Sequence, residues 1–434
     1  MRQISRRRFL RDLSLLASGT AVVGCGSAGG TADSRAGGEL CGDGLSLPEA
    51  LPVDAVDVRQ GGSEEVLLAL LPPGPAILDS LREVCAGLDW SWLNPGDRVF
   101  VKLSCNSGNA HPAVTSPTAV KAVCAELLAR GAGEVLAGDQ SGIAWVRLDR
   151  SGKLTGSTRE MMKKNGLLAA IEESGATPWC FEEHGYEQGY FAADMTAVPG
   201  SHWSEGPFLA SVLNEVDHVV TLPRLSSHLI AGCSLGHKCA IGWLRDDSRY
   251  LLHFQGETLH EKLAELNFSS PLADKHRLVI TAAEKVLLDM GPDQGTVAEA
   301  DPVIVIASSN LTRHDALATA SLAFMDAATP PAEGLFATYG PDQADKANRL
   351  LLDVLVPARY GAPWGDRDPE LYTPVPFHEY AKGIESNRVL ARAFELQGGI
   401  PESIPVRLSG LEPSAELRAF LEAFGGGILH LAGS

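Results

Sequence analysis

The residue types best suited to chemistry in this sequence are concentrated in one stretch, residues 219–242. Its first residues, 219–221, form a β-branched run that predicts a buried strand, and Pro223 ends it. The residues that follow are too polar and too rich in glycine for a core, so we expect a loop. That loop lies beyond the strand's carboxyl end, where open α/β sheets bind ligands, and it carries His228, His237 and Lys238.

A lysine and a histidine on such a loop can perform nucleophilic or acid–base chemistry. Burial would lower the pKa of Lys238 and leave a neutral amine, which is a nucleophile, whereas a charged ammonium would bind a carboxylate or phosphate. His228 titrates near neutral pH and can donate or accept a proton. The alternative for Lys238 is a structural ion pair with Asp139 or Asp289. For His237 we expect solvent exposure or a local backbone hydrogen bond.

Other polar side chains follow neighbouring predicted strands. One strand leads to Lys102 and Asn106, and the next ends at Asp139. Between them, residues 115–117 predict a helix start with a hydroxyl N-cap and proline at the first helical position, which makes the unit a parallel crossover. In a doubly wound sheet these strand ends form one crevice. Asp139 could instead form an Asx turn or a helix cap.

The periodicity of the chain predicts an α/β fold, a Rossmann-like and mostly parallel sheet with helices on both faces, plus a smaller C-terminal extension. His253 and His260, seven residues apart on one predicted helix, could share a face. Further strands are predicted at 66–70, 277–282, 300–307, 350–356 and 403–408, and helices at 77–88, 161–174, 310–315 and 414–424.

Length and charge limit the classes of protein to which the chain can belong. Its 434 residues allow one large or two ordinary domains, and 45% hydrophobic with 21% charged residues is typical of a globular protein. The net charge of −18 argues against nucleic acid or an anionic membrane surface as partner, because both reward a basic patch.

The amino terminus predicts export. Residues 5–11 closely match the twin-arginine pattern, and the apolar stretch 13–24 is too short to cross a ~30 Å hydrocarbon core as a helix. Val22-Val-Gly-Cys25 resembles a lipobox, so we expect lipidation at Cys25; ordinary cleavage nearby is the alternative. We therefore expect a periplasmic or cell-surface protein, carried by the twin-arginine machinery and tethered to the membrane only through Cys25.

These signals divide the chain into four predicted regions. The regions are a signal peptide (1–25), a flexible linker (26–62), an α/β domain (63–330) and a C-terminal extension or subdomain (331–434).

The twin-arginine route carries folded proteins, often with a cofactor already loaded, which makes a cofactor plausible here.

Seven cysteines remain after Cys25, and none forms a C-x-x-C pair. Zinc or iron–sulfur sites with clustered thiolates are therefore unsupported. Cys85 and Cys124 lie in helical apolar patterns and are expected to be buried hydrophobic residues. Cys233 and Cys239 could be a disulfide, a pair of ligands, or neither.

Residues 66–322 resemble the bacterial and archaeal family called domain of unknown function 362. The family's Lys-Pro-Asn is interrupted here as Lys102-Leu-Ser-Cys-Asn106, and the ferredoxin-like cysteines of some members are absent. The resemblance implies no established reaction. It is carried by residues 96–99 with Lys102 and Asn106, 115–117, 134–139, 222–228, 234–242, His253, 287–291 and 314–316.

The stretch from His228 to Lys238 is also similar to the amino-terminal domain of nickel-pincer lactate racemase. In that domain a lysine ten residues after a histidine holds the cofactor, and His228, Ala231-Gly232 and Gly236-His237-Lys238 reproduce the spacing. This resemblance implies that Lys238 anchors a cofactor or substrate and that His228 donates or accepts a proton. It implies that His253 is an acid/base group or, with His228, a metal ligand.

We therefore expect an exported, lipid-anchored enzyme that acts on a small carboxylate-bearing anion, or carries a cofactor, in the crevice. The alternatives are a non-catalytic binding lipoprotein for a metal or an anionic metabolite, and a redox or iron–sulfur-associated protein. The sequence names neither the substrate nor the cofactor. The expected catalytic residues are His228, Lys238, His253 and Asp139, and the expected cofactor-binding residues are Lys238, Gly236, Lys102 and Asn106.

Overall fold

The computed structural model describes residues 64–228, 230–254, 256–288, 291, 293, 295–330 and 377–432. The twin-arginine pattern, Cys25, the predicted linker, Asp289 and the predicted strand 350–356 lie outside them. Contacts divide the chain into two units, residues 1–54 and 55–434, and every described residue belongs to the second. Within the described ranges, no helix combines the length and apolar character that crossing a membrane requires.

The described chain alternates strands and helices. The strands are β1 Val66–Leu71, β2 Arg98–Leu103, β3 Glu134–Asp139, β4 Arg147–Leu148, β5 Leu154–Thr155, β6 Thr177–Cys180, β7 Tyr190–Ala192, β8 Phe208–Ala210, β9 His218–Leu222, β10 Ser226–His228, β11 Gly232–Ser234, β12 His276–Leu288, β13 Thr296–Ser308, β14 Ile404–Gly410 and β15 Leu429–Leu431. The helices are α1 Ile77–Ala86, α2 Pro117–Ala129, α3 Thr158–Asn165, α4 Leu167–Glu173, α5 Gly236–Cys239, α6 Asp246–Phe254, α7 Leu259–Leu266, α8 Leu272–Lys275, α9 Leu311–Ala328, α10 Phe377–Tyr380, α11 Arg388–Leu396 and α12 Ala415–Ala423. Single 3₁₀ turns lie at Phe181–His184, Ser211–Asn214, Ala240–Trp243, Gly256–Thr258 and Phe424–Gly426.

One large mixed sheet organises these elements. Its strand order is β15-β14-β1-β13-β12-β9-β2-β3-β6, and β10 joins β12 while carrying β11. Neighbouring strands are parallel except where β13 pairs with β1 and β12, and where β10 pairs with β11. The prediction of a mostly parallel α/β sheet is confirmed. Strands β4 with β5 and β7 with β8 form two separate ribbons.

Helices cover both faces of the sheet, as predicted. Alternate residues of a strand point to opposite faces, and the buried residues divide accordingly into two cores. Leu67 and Val101 belong to the core that includes residues of α1 and α2. Leu68 and Phe100 belong to the other core, with residues of α7, α9 and α11. Because both faces are covered, the strands read as continuous hydrophobic runs, and all six residues of β1 are buried.

The predicted crossover from β2 to β3 is confirmed. Helix α2 begins at Pro117, and the Ser116 hydroxyl accepts a hydrogen bond from the backbone N–H of Ala119 at 3.2 Å. This cap satisfies a donor that the first turn of the helix would leave unpaired. The strands then pair in parallel, with Lys102 beside Gly138 of β3 and beside Thr221 of β9.

The prediction of a polar loop after β9 is wrong. Residues 224–228 and 230–243 contribute to the hairpin β10–β11, helix α5 and a 3₁₀ turn, and nearly all of them are buried. Their polar groups are accommodated because they bond to one another and to the backbone; for example, the Arg224 guanidinium donates to the Ser234 hydroxyl. Composition alone does not reveal such internal pairing.

Two predicted helices are divided in the structure. The predicted helix 161–174 is two helices, α3 and α4, which meet at Gly166 with a φ of +87°. His253 lies in α6 and His260 in α7, with a 3₁₀ turn between them, so their spacing of seven does not place them on one helical face.

The described part of the predicted C-terminal extension contributes to the same sheet. Strand β14 lies parallel to β1, with Val406 beside Val66, and β15 lies parallel to β14. Helix α11 supplies Val389, Leu390 and Phe394 to the core that contains residues of α7. The end of the chain therefore completes both the sheet and one of its hydrophobic layers.

Candidate functional site

A small polar pocket lies at the carboxyl ends of β2, β3 and β9. The chain runs from β2 to β3 and β6 on one side, then returns to β9 on the other side of β2, so this is a topological switch point. The cavity volume is about 40 Å³, and a water molecule needs roughly 10–15 Å³, so about three waters fit. We call it the switch-point pocket; its lining residues are Ser104, Asn106, Asp139, Gln140, Gly142, Arg224, Ser234, Lys238, Cys239, Ile241, Gly242 and Arg249.

Lys102 and Asp139 form a buried ion pair beside this pocket. The Lys102 ammonium donates to Asp139 Oδ1 at 2.7 Å, to the Leu103 carbonyl at 2.7 Å and to the Cys239 carbonyl at 2.8 Å. Asp139 Oδ2 accepts from the backbone N–H of Cys105 at 2.6 Å. All three ammonium protons of Lys102 are therefore engaged in hydrogen bonds within the protein. Lys102 has no free donor for the ligand-binding role that the sequence predicted. Asp139 therefore forms neither the Asx turn nor the helix cap that the sequence left as alternatives.

The ion pair explains why residue 242 is a glycine. A Cβ added at Gly242 would overlap the Asp139 carboxylate and the Lys102 ammonium. The 3₁₀ turn at Ala240–Trp243 therefore lies with its backbone directly against the pair, which only a residue without a side chain permits.

Arg249 is a buried cation that the sequence did not single out. Only 1% of it is exposed, and its guanidinium donates to four backbone carbonyls: those of Ser141 at 2.7 Å, Leu244 at 2.9 Å, and Gln140 and Gly242 at 3.0 Å. All four acceptors are neutral, so its positive charge is not cancelled by them. An arginine in a predicted helix carries no signal that separates this arrangement from a solvated side chain.

Lys238 is partly buried in the wall of the pocket, and no described residue forms a hydrogen bond or ion pair with it. Its pKa is lowered to about 7, mainly by loss of solvation and next by the positive charge of Arg224, against smaller opposing effects from Cys239 and Asp293. The alternative of an ion pair with Asp139 is not formed, because that carboxylate binds Lys102.

His228 and His253 carry opposite hydrogen-bonding patterns. The Nδ1 atom of His228 accepts from the backbone N–H groups of Ile230 and Ala231, both at 3.1 Å, so its proton is on Nε2. The Nδ1 atom of His253 lies 2.7 Å from the Arg249 carbonyl and must donate to it, so Nε2 keeps its lone pair.

Both rings are neutral at pH 7. Burial lowers the pKa of His228 well below its ordinary value and that of His253 to about 4, and the charge of Lys238 adds to both shifts. The structure thus brings both histidines within electrostatic range of Lys238, although neither lines the switch-point pocket.

The predicted metal site at His228 and His253 lacks a ligand set. Among the described residues, no group of three or more histidine, cysteine, aspartate or glutamate side chains is arranged to hold a metal ion. Two imidazoles fall short of the three protein ligands that a catalytic zinc site takes. The pocket, as the described residues shape it, also has no room for a nucleotide-sized cofactor.

Gly236 binds an internal carboxylate. Its backbone N–H donates to Asp315 Oδ1 at 2.9 Å, and the N–H of His237 donates to Asp315 Oδ2 at 2.8 Å. A Cβ at position 236 would lie 2.5 Å from Leu311 Cδ1 and 2.7 Å from Asp315 Oδ1. The N–H that a cofactor would need is therefore occupied by Asp315.

The expectation of solvent exposure or a local backbone hydrogen bond for His237 is wrong. The ring is buried, its Nε2 lies 3.2 Å from the Thr312 hydroxyl, and burial lowers its pKa to about 4. It stacks on Phe268 with the ring centroids 6.3 Å apart. The side chain of His237, a residue of α5, therefore packs into the protein interior.

Asn106 anchors the turn between β12 and β13. Its amide donates to Asp293 Oδ1, and the indole of Trp145 donates to Asp293 Oδ2 at 3.1 Å. The side chain of Asn109 donates to the Asp293 carbonyl at 2.9 Å. One of the two amide N–H groups of Asn106 is thus already used within the protein.

The six cysteines in the described ranges are free thiols. Cys233 and Cys239 form no disulfide, and the predicted burial of Cys85 and Cys124 is confirmed. Burial raises the pKa of Cys85 to about 12 and also raises that of Cys239, which lines the pocket. These cysteines are protonated at neutral pH and are not thiolate nucleophiles.

Comparison with known proteins adds a family and little else. No curated protein matches the chain. Two solved structures are similar, each at 11% identity with a TM-score of 0.33: a protein from Thermotoga maritima, covering 82% of this chain and 97% of that one, and the lactate racemase apoprotein from Thermoanaerobacterium thermosaccharolyticum, covering 88% and 89%. Likenesses this slight carry no functional argument.

The family model described as "Domain of unknown function (DUF362)" matches residues 99–320, more than half of the 434 residues. The match spans every element that lines the switch-point pocket, from β2 to α6. It confirms the family expected from the sequence motifs. The chain belongs to the DUF362 family.

Proposed function

We propose that this protein is an enzyme that binds a small carboxylate-bearing anion in the switch-point pocket and acts on it through Lys238. The observation that carries the proposal is the charge balance there. Lys238, Arg224 and Arg249 line the pocket, and the one carboxylate among its described lining residues, Asp139, is paired with a fourth cation, Lys102.

Such a pocket favours an anion for a physical reason. Buried cations lose hydration, and this cost is offset when an anion of suitable size enters. The chain carries a net charge of −18, so long-range attraction does not bring anions to it. Affinity must come from the local cations and from hydroxyl groups such as that of Ser104, which lines the same cavity. A cavity of about 40 Å³ suits a carboxylate and a few further atoms.

Lys238 is the residue best placed to react. With a pKa of about 7, Lys238 is a neutral amine in a large fraction of the molecules at physiological pH. A neutral amine is a nucleophile and a base. His253 offers a lone pair on Nε2 and His228 an N–H, so the surroundings contain a proton acceptor and a proton donor.

Ligand-induced stabilisation tests the binding half of the proposal. The melting temperature of the full-length protein should rise with acetate and glycolate and stay unchanged with acetamide, which has the same size without the charge. A ligand at 100 times its Kd stabilises the folded state by about 2.7 kcal/mol. With Lys238→Met, about ten times more acetate should be needed for the same rise in melting temperature. The matched change Lys153→Met, at an exposed lysine, should leave the response to acetate intact. A response to acetamide equal to that to acetate would contradict the proposal.

A non-catalytic binding protein for the same anion is the second candidate. It is favoured because polar groups of the pocket lining, such as those of Asp139 and Arg249, are engaged within the protein. Mass spectrometry of whatever the native protein retains would identify the ligand. With that ligand, Lys238→Ala and His228→Ala should abolish turnover in an enzyme, whereas in a binding protein they would change affinity alone.

We also propose that the protein is exported by the twin-arginine route and held at the membrane by lipid on Cys25. Support comes from the sequence of residues 5–11 and 22–25. The overall acidic charge is consistent with tethering by lipid alone, because it gives no electrostatic attraction to anionic lipids.

A further inference from the structure

The two lysines near the switch-point pocket differ in what their nitrogen atoms can do. Lys102 uses its three protons in an ion pair and two carbonyl hydrogen bonds. Lys238 lines the cavity itself, and no described residue bonds to its ammonium. An amine that is not held in an ion pair can add to a carbonyl carbon. Within the part of the chain that the structure describes, Lys238 is the lysine of this pocket whose nitrogen meets that condition.

We propose that Lys238 forms an imine with a small 2-oxo acid, of which glyoxylate is the smallest. This inference rests on the proposed function, because it takes the anion-binding pocket as given and names the class of substrate.

The size of the pocket selects a 2-oxo acid among carbonyl compounds. Arg224, Arg249 and Lys238 line one cavity of about 40 Å³, so the charged group and the reacting carbon of a ligand must be adjacent. In a 2-oxo acid they are directly bonded. A ligand whose carboxylate and carbonyl are separated by several carbon atoms, or a phosphorylated sugar, exceeds the space that about three water molecules occupy.

The step balances without a further reactant. The lone pair of the neutral Lys238 amine adds to the carbonyl carbon; the nitrogen then gives up one proton and the former carbonyl oxygen takes one up, which gives a neutral carbinolamine. The nitrogen lone pair then expels the hydroxyl group, which leaves as water after taking a second proton. Overall, one ammonium and one carbonyl give one iminium and one water, with no net oxidation. His253, with a lone pair on Nε2, and His228, with a proton on Nε2, lie within electrostatic range of Lys238 but outside the pocket lining, and they are the acceptor and donor that we propose for these transfers.

Reductive trapping tests the inference. The full-length protein is incubated with glyoxylate and borohydride, which converts an iminium into a stable carboxymethyl amine, and modified peptides are mapped by mass spectrometry. Lys238 should be modified at glyoxylate concentrations that leave the exposed Lys153 unmodified. Acetaldehyde, which has the carbonyl without the carboxylate, should modify Lys238 about tenfold less. Acetate, which has the carboxylate without a reactive carbonyl, should protect it.

Variants and binding data separate the possible failures. Lys238→Arg keeps a cation and removes the nucleophile, so labelling at residue 238 should vanish while thermal stabilisation by acetate persists; Lys153→Arg is the matched control. Glyoxylate that stabilises the protein without labelling Lys238 would overturn the imine and leave the proposed function standing. If neither acetate nor glyoxylate stabilises the protein, the proposed function itself fails. The selectivity between Lys238 and Lys153 is measured in the protein without any substitution. This part of the test therefore does not depend on whether a variant folds.

Discussion

The ammonium of Lys102 lies 2.7 Å from the carboxylate of Asp139, at the point where β2 and β3 end side by side. This pair has a consequence for the second lysine of the site. Asp139 is the carboxylate lining the pocket, and because it binds Lys102 it does not neutralise Lys238. The two lysines therefore differ: Lys102 is paired with Asp139, and no described residue pairs with Lys238.

Breaking the Lys102–Asp139 pair from one side should be strongly destabilising. Lys102→Met or Asp139→Asn leaves a buried group without its partner, and we expect each to lower the free energy of unfolding by about 3–5 kcal/mol. The double variant should cost less than the sum of the two. Chemical denaturation measures these values, and Lys285→Met in the exposed pair with Glu299 is the control, at about 1 kcal/mol or less. Additive losses at Lys102 and Asp139 would show that the two residues are not coupled.

Replacing Gly242 with alanine should disturb the same pair. The new methyl group would occupy the space of the Asp139 carboxylate and the Lys102 ammonium, so the 3₁₀ turn or the ion pair must move. We expect a loss of about 1–3 kcal/mol, in the range measured for overpacked cores. Gly87→Ala is the matched control, because a Cβ there meets its nearest atom at 3.5 Å, an ordinary contact. Equal melting temperatures for the two variants would refute this account.

The charge of Lys238 should make stability depend on pH in the alkaline range. Its pKa is about 7 in the folded protein and 10.5 ordinarily, so between these values the unfolded chain binds more protons and stability rises with pH. The destabilisation is complete below about pH 7 and disappears above about pH 10.5. Lys238→Met removes this contribution, so the variant should be more stable than the parent at pH 6, by on the order of a few kcal/mol, with the difference shrinking towards pH 10.

Denaturation curves at several pH values measure this difference. The partial exposure of Lys238 reduces the size of the effect but not its sign. Lys153→Met is the control, because Lys153 is exposed and its replacement should leave the pH profile of the parent unchanged. A stability difference between Lys238→Met and the parent that grows with pH would contradict the depressed pKa.

Asp315 should act as a positioning residue for Lys238. Its two oxygens accept from the backbone N–H groups of Gly236 and His237 and so hold the start of α5, which carries Lys238. Asp315→Asn presents an N–H to one of these donors, and leaving that donor unpaired should cost about 1–3 kcal/mol. Ligand affinity should fall as well, measured by the thermal shift with acetate. Asp79→Asn, on an exposed helix position, should change neither quantity.

Acid should weaken the Asp315 contact. Burial alone would raise the pKa of Asp315, but hydrogen bonds from His314 and from the backbone of His237 outweigh it, so the pKa lies below its ordinary value. The stabilisation is therefore present above pH 3.8 and is lost as the pH falls through the folded pKa. The parent protein should lose stability in that range more steeply than Asp315→Asn.

Export should depend on two of the three consecutive arginines. Changing Arg6 and Arg7 together to lysine should keep the protein in the cytoplasm, while Arg8→Lys, the matched control, should leave export unchanged because Arg8 lies outside the twin pair. Cys25→Ala should allow export and release the protein from the membrane fraction. Cell fractionation measures both. Membrane attachment that survives Cys25→Ala would rule out the lipid anchor.

The sequence by itself determined the elements of the fold. The hydrophobic runs that became β1, β2, β3 and β9, and the Ser116-Pro117 start of α2, could be recognised because both signals are local. It predicted that Lys238 lies near the carboxyl ends of the strands; the structure has Lys238 in the pocket lining there, but on helix α5 after a hairpin and not on the predicted loop.

Only the tertiary structure decided which polar groups are engaged. Arg249 with its four carbonyls, Asp315 on the N–H of Gly236, and Asp139 on Lys102 join residues that are 5 to 109, 79 and 37 positions apart. Such pairing leaves no local pattern, since its energy comes from desolvation and contacts that exist only after the sheet has assembled. The folded chain thus decided that Lys102 and Gly236 are engaged within the protein, whereas no described residue bonds to the Lys238 ammonium.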